Sequence, residues 1–276
     1  MESGSGFYPI ERRPGEIQRL RAQAAAIAFD AGLMLERIGV APGWVCLDVG
    51  CGAGGILELL GARAGSTGRV VGLDADPMML AAARDWTRAH GLGNVALVAS
   101  DAYRPALRAS AFDLVHVRFL ASTVGRADDL IRQALALVKP GGVLAFQEPD
   151  TETLTCHPGH PAWDRLKRAL QAAFESTGGD TRIGQRLYRL LRAAGLEAVA
   201  YRPFLVGVIS GGPMTDYLPA TAESIRSTLL GKGLIGEREL DEVLAACRRH
   251  LADPDTVFTT FLVVQAWGRR PAGSGA

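Results

Sequence analysis

No run of apolar residues in this 276-residue chain is long enough to cross a bilayer as a helix, and the first fifteen residues, MESGSGFYPIERRPG, lack the apolar segment of a secretory signal. A cytoplasmic protein is expected. The sequence is also short of cysteine: Cys46, Cys51, Cys156 and Cys247 show no C-x-x-C spacing, and the first two share one strand and its loop. That pattern suits a reducing compartment and offers no disulfide framework. Charge of one sign is missing as well, since 30 Lys and Arg against 29 Asp and Glu leave a formal +1. Neither nucleic acid nor an anionic membrane finds an electrostatic footprint here, and a small-molecule partner is favoured.

What remains is an ordinary globular composition, 48% hydrophobic and 21% charged, in a length that allows one or two domains. Ile17, Leu20, Ala24, Ile27, Ala28, Met34, Leu35 and Ile38 recur at helical spacing and end near Gly39 and Pro42, which predicts an N-terminal helical region. Short, nearly continuous apolar runs follow: WVCLDV (44–49), RVVGLD (69–74), VALVAS (95–100), FDLVHV (112–117) and GVLAFQ (142–147). Such runs read as strands buried on both faces. Helical patterns fill 55–64, 77–90 and 126–138, and "LVKPGG" stops the last of these with Pro140 before turning on Gly141 and Gly142. Alternation of this kind predicts a doubly wound, mostly parallel sheet. Further on, Leu187, Leu190, Leu191 and Ala194 make another helix closed by Gly195, and "LEAVAYRPFLVGVIS" and "VFTTFLVVQAWGRR" read as strands. Two insertions, irregular and helical over about 150–181 and mostly helical over about 211–256, are the natural substrate walls.

The stretch "VCLDVGCGAGGI" fits two fingerprints. Gly50, Gly52 and Gly55 satisfy G-x-G-x-x-G, whereas Asp48, Gly50, Gly52 and Gly54 satisfy D-x-G-x-G-x-G. Both bring backbone close to a ligand at a helix N-terminus. In a dinucleotide site that ligand is a pyrophosphate, and the Asp48 carboxylate would repel it. S-adenosylmethionine has no phosphate but carries an ammonium and a sulfonium, so an acid there is sensible. Asp74 lies 74 − 54 = 20 residues after Gly54, at the spacing of a ribose-binding carboxylate. Asp101, just after the third strand, can accept a hydrogen bond from an adenine amine.

"LDVGCGAGG", "VVGLDADPMML", "VASDA", "FDLVHVRF" and "LALVKPGGVLAFQEPD" occur in the order and spacing of class I S-adenosylmethionine-dependent methyltransferases. The chain resembles that family over about residues 40–270, most closely its small-molecule members of quinone and natural-product type. The likeness implies a Rossmann-like sheet of seven strands with an antiparallel last strand. It also implies that Gly50, Cys51 and Gly52 line the methionine end, that Asp74 and Ala75 meet ribose and adenine, and that Asp101 and Ala102 hold the adenine edge. Many small-molecule members carry a histidine pair beyond the fourth strand, where this chain has Ala121, Ser122 and Thr123. A base is therefore expected from elsewhere: His157 or His160 first, then His116, with Glu148 and Asp150 behind them. Cys156, His157 and His160 lack a fourth ligand in any recognisable spacing, so no metal is expected.

The expected organisation is an N-terminal helical cover over 1–40, a methyltransferase domain over 41–270 carrying both cap insertions, and a flexible tail over 271–276. The expected function is methyl transfer from S-adenosylmethionine to a small organic acceptor. The alternative is a methyltransferase-like protein that binds this cofactor but catalyses a non-methylating reaction such as cyclisation.

Overall fold

The computed structural model describes residues 15–273. The expectations for the first fourteen residues and for 274–276 lie outside the described residues. Helices α1 (Glu16–Ala26) and α2 (Ala28–Ile38) come first, so the N-terminal helical region is a pair hinged at Ile27 and closed by Gly39 at φ 82°. Strand and helix then alternate as β1 (Val45–Val49), α3 (Leu57–Ala64), β2 (Arg69–Asp74), α4 (Pro77–Ala89), β3 (Val95–Ala99) and β4 (Phe112–Arg118). Next come α5 (Ala121–Val124), α6 (Ala127–Leu137), β5 (Val138–Asp150), β6 (Thr155–His157), α7 (Pro161–Ser176) and α8 (Leu187–Ala193). The chain ends through β7 (Glu197–Phe204), β8 (Gly207–Ile209), α9 (Tyr217–Ser224), α10 (Arg226–Gly231), α11 (Glu237–Leu251), β9 (Val257–Thr259) and β10 (Leu262–Arg269).

Seven strands form the main sheet in the order β3-β2-β1-β4-β5-β10-β7, with β10 antiparallel to both neighbours. The Rossmann-like architecture with an antiparallel last strand is thus present. Side-chain alternation divides the sheet into two buried faces. Leu47, Val49, Val115, Val117, Leu144 and Phe146 meet α6 and α8, whereas Cys46, Val70, Leu114, Val143 and Ala145 meet α2 and α3. Burial of each Leu or Val contributes roughly 1.5–3 kcal/mol. Asp48, His116 and Gln147 fall on the second face by the same alternation, and Glu148 on the first.

Three boundaries differ from the sequence reading. Strand β5 starts directly after α6, and its pairing with β4 jumps from Val138 to Val143, so Gly141 and Gly142 form a bulge rather than a turn before the strand. The two late apolar segments are each cut in two, because their outer pieces leave the main sheet. Strand β9 pairs with β6 on one side and β8 on the other in a second sheet, order β6-β9-β8. That small sheet and helices α7, α9, α10 and α11 share a separate core around Trp163, Leu166, Leu218 and Leu240, which caps the carboxyl ends of the main strands. Helix α1 ties cap to core. Ser224 Oγ donates to Glu16 at 2.8 Å, while the Arg21 guanidinium lies 4.7 Å from the ring centre of Trp86 on α4.

Candidate active site

A cavity of about 750 Å³ opens where the parallel strands end, between the sheet, helix α1 and the cap. Open α/β sheets bind ligands at this edge. One half is built by the loop after β1. Gly50, Gly52 and Gly54 adopt φ of 74°, 52° and 109°, a region that L side chains avoid, and Gly50 N and Cys51 N donate to Leu73 O at 2.8 and 2.9 Å. The backbone thereby curls back against β2 and stays bare toward the cavity. Asp74 braces the curl: Oδ2 accepts from Gly52 N at 2.8 Å and Oδ1 from Asp76 N at 2.9 Å. Burial pushes the Asp74 carboxyl above the usual carboxylate range, against the pull of those two amides. Asp101 accepts from Tyr103 N at 2.9 Å. Gly50, Cys51, Gly52, Asp74, Ala75, Asp101 and Ala102 all line the cavity.

Asp48 does not. It is buried behind the loop, and its Oδ1 lies 2.7 Å from His116 Nδ1. A chain of hydrogen bonds fixes which atom carries the proton. Arg202, which can only donate, bonds Gln265 Oε1 at 2.9 Å, so the Gln265 amide nitrogen faces Gln147 Oε1 at 3.1 Å. The Gln147 nitrogen then donates to His116 Nε2 at 2.9 Å, leaving Nδ1–H for Asp48. His116, fully buried and with both ring nitrogens engaged, is therefore a structural link and not a free base. Asp48 is absent from the cavity lining, and one of its carboxylate oxygens is held by His116.

The other two histidine candidates are also misplaced for catalysis at this cavity. His157 lies exposed on β6. His160 caps α7 by accepting from Ala162 N at 3.1 Å and stacks on His250 at 4.6 Å between ring centres. Neither lines the cavity. Among the described residues, no group of three metal-ligating side chains occurs.

Sequence reasoning missed Arg118. It ends β4, lines the cavity, and brings its Nη2 against Gly55, where only a glycine leaves room for it. Burial pushes its guanidinium below the ordinary value, and Asp48 partly restores it. The signal was a lone Arg after an apolar strand in "LVHVRF", at the end that faces ligands. The loop beyond it is shaped by Glu148 of β5. That carboxylate is fully buried and accepts from Leu120 N, Ala121 N and Ser122 N at 3.0, 2.9 and 3.1 Å, which presents Ser122 and Thr123 to the cavity. The cap side is apolar, with Phe119, Leu170, Phe174, Tyr217 and Phe261, and is dotted with hydroxyls. The Thr181 hydroxyl is buried there without a hydrogen-bond partner among the described residues.

A methyltransferase domain model matches residues 46–142, which run from the glycine loop to the start of β5. The ubiquinone/menaquinone biosynthesis C-methyltransferase UbiE of Idiomarina loihiensis is 28% identical over 62% of this chain and 74% of its own length. This chain is thus similar to known methyltransferases, both in its domain match and in its curated relatives. For several other curated methyltransferases the match spans about half of their length. The YcgJ protein from Bacillus subtilis shares the fold at a TM-score of 0.59 and 14% identity, over 89% of this chain and 100% of that one. The [4+2]-cyclase SpnF shares it at 0.53 and 23% identity, over 96% and 86%. The residues present fit the methyltransferase cofactor. Bare glycine backbone, a carboxylate at the end of β2 and an unspent guanidinium at the end of β4 match a ligand with an amino acid at one end and a nucleoside at the other.

Proposed function

We propose that this methyltransferase transfers the methyl group of S-adenosylmethionine to a small organic acceptor with a largely apolar body. The observation that carries the reading is the two-part cavity: a glycine-and-carboxylate half at the strand ends continues into an apolar half under the cap. Gly50, Cys51 and Gly52 would lie along the methionine portion, with Arg118 facing its carboxylate. Asp74 and Ala75 would hold ribose and adenine, and Asp101 with Ala102 the adenine edge. The sulfonium supplies an activated methyl group, so the chain's own work is to align an acceptor and exclude water, an effect that reaches roughly 7–11 kcal/mol in favourable systems. Phe119, Tyr217 and Phe261 form the wall that would hold a ring or chain against the loop after β4.

The organisation we infer is a helical cover over 1–40, a methyltransferase domain over 41–270 with the two cap insertions, and a tail from 271. Partners are small molecules rather than nucleic acid or membrane, and the location is the cytoplasm. Among the described residues, no helix is long and apolar enough to cross a membrane. The reading is tested by S-adenosylhomocysteine release with a panel of phenols, enols, amines and carboxylic acids. A second reading, in which the cofactor is bound but not consumed, is favoured by the likeness to a cyclase of the same fold. Product formation without S-adenosylhomocysteine would select it.

A further inference from the structure

Glu148 is more than a cap for the loop after β4. Three backbone amides hold its carboxylate, and the Ser122 side chain lies near enough to draw its carboxyl down. Leu120 and Ser122 line the cavity, and of these donor residues only Ser122 carries a side-chain proton that can be exchanged with a ligand. Ser122 is itself nearly buried, so bulk water competes poorly for either group. Among the described residues, no histidine lines this cavity.

We propose that Ser122 and Glu148 form a proton relay for an acceptor whose nucleophile is an acidic hydroxyl, a phenol or enol. The inference rests on the methyl-transfer reading above. The acceptor O–H gives its proton to Ser122 Oγ as the proton of Ser122 passes to the Glu148 carboxylate. The oxygen's freed electron pair forms the bond to the methyl carbon, and the methyl–sulfur bond breaks with its pair remaining on sulfur. Glu148 afterwards returns its proton to solvent. Ser122 is the catalytic residue in this scheme, and Glu148 is a positioning residue that acts through it.

The chemistry of the pair selects the acceptor class. Burial pushes the Glu148 carboxyl up to about 7 despite its donors, which suits a base working near neutral pH. A phenol, with an ordinary value of about 10, is within reach of such a base, whereas a simple alcohol is far outside it. The other titratable groups near the relay have other roles. Tyr103, from the segment after β3, donates to Gly125 O at 2.7 Å, and its phenol is pushed up to about 12. Arg118 faces Gly55. Asp180 meets Ser122 through a backbone bond, its N–H donating to Ser122 O at 2.8 Å.

The test uses two phenols. 2-Naphthol must lose a proton on the enzyme, whereas 4-nitrophenol is largely ionised without help at pH 8. With 2-naphthol the single-turnover rate of the wild type should rise through about pH 7 and level off. Ser122→Ala leaves the three amide bonds to Glu148 intact, so the loop keeps its support. It should lower the 2-naphthol rate by about 10²–10⁴ and remove the inflection, while 4-nitrophenol at pH 8 stays near the wild-type rate. Ser122→Thr restores a hydroxyl and should recover the inflection. Glu148→Gln should behave as Ser122→Ala, and if it fails to fold the two Ser122 variants still decide. An inflection kept in Ser122→Ala, or an equal loss for both phenols, would overturn the relay. So would absence of methylation of either phenol. If amines or carboxylic acids release S-adenosylhomocysteine in that last case, methyl transfer survives and only the relay falls.

Discussion

The Nδ1 of His116 lies 2.7 Å from Asp48 Oδ1, and this bond joins neighbouring strands β4 and β1 in the interior. It is one link of a buried chain that continues through Gln147 and Gln265 to Arg202 and Asp30. Every member's orientation depends on the next. His116→Ala would leave Asp48 and Gln147 buried without their partner, and should cost on the order of 3 kcal/mol of stability. Urea unfolding measures the loss. The pH dependence of methyl transfer should keep its inflection in this variant, because the imidazole neither reaches the cavity nor moves a proton.

Asp74 links the glycine loop to the turn that begins α4, and its carboxylate faces the same cavity. Asp74→Ala should weaken S-adenosylhomocysteine binding by roughly 1.5–3 kcal/mol, the range for charge-assisted hydrogen bonds. Calorimetry reports it directly. Unchanged affinity in a folded variant would remove Asp74 from the cofactor site.

Arg118 allows a sharper division of the cofactor. Arg118→Met keeps length and apolar bulk but loses the charge, so S-adenosylhomocysteine should bind about ten-fold or more weakly, the loss of one charge-assisted bond. 5′-Methylthioadenosine, which has no amino-acid carboxylate, should bind as before. Equal losses for both ligands would mean that the variant disturbs Gly55 and the loop instead.

His160 and His250 provide the complementary control. Their stacked rings sit on the cap, away from the cavity, and burial lowers the His160 imidazole from its ordinary value, with His250 and Arg249 adding to the effect. His160→Gln and His157→Gln should leave the single-turnover rate within about two-fold of wild type at every pH, as expected of surface changes worth less than about 0.5 kcal/mol. A hundred-fold loss in either would return the base to the cap.

The centre of the sheet was legible in the sequence because β1, β2, β4 and β5 are buried on both faces and the flanking helices on one, so each apolar run or period had a single interpretation. The glycine loop was legible for a related reason: Gly50, Gly52 and Gly54 stand where side chains cannot. The division of "LEAVAYRPFLVGVIS" into β7 and β8 was not, because both pieces are β-rich and only the partner strands β10 and β9 separate them. Burial of Asp48 was hidden for the same kind of reason. Its partner lies on β4, 68 residues away, and no spacing rule connects them. His157 and His160 were drawn toward the site by position after β5, but they fall in β6 of the cap sheet and at the start of α7.

Glu148 should also leave a mark on stability. Its carboxyl stands at about 7 in the folded protein against an ordinary 4.5, so between those values the folded chain holds a proton that the unfolded chain has lost. Stability from this group therefore grows as pH falls from 8 toward 4.5, by on the order of 3 kcal/mol in total, and shrinks as pH rises through the folded value. Other carboxylates pull the opposite way on acidification, so the useful quantity is the difference between wild type and Glu148→Gln, whose amide does not titrate. That difference should shift in favour of the wild type on moving from about pH 8 to about pH 5, steepest between the folded and the ordinary values. Urea unfolding of both proteins across the range supplies it. A difference that stays flat would place the folded carboxyl at its ordinary value and remove the neutral-pH base from the relay, whereas the predicted slope, together with a matching inflection in the methylation rate, would tie both effects to one proton.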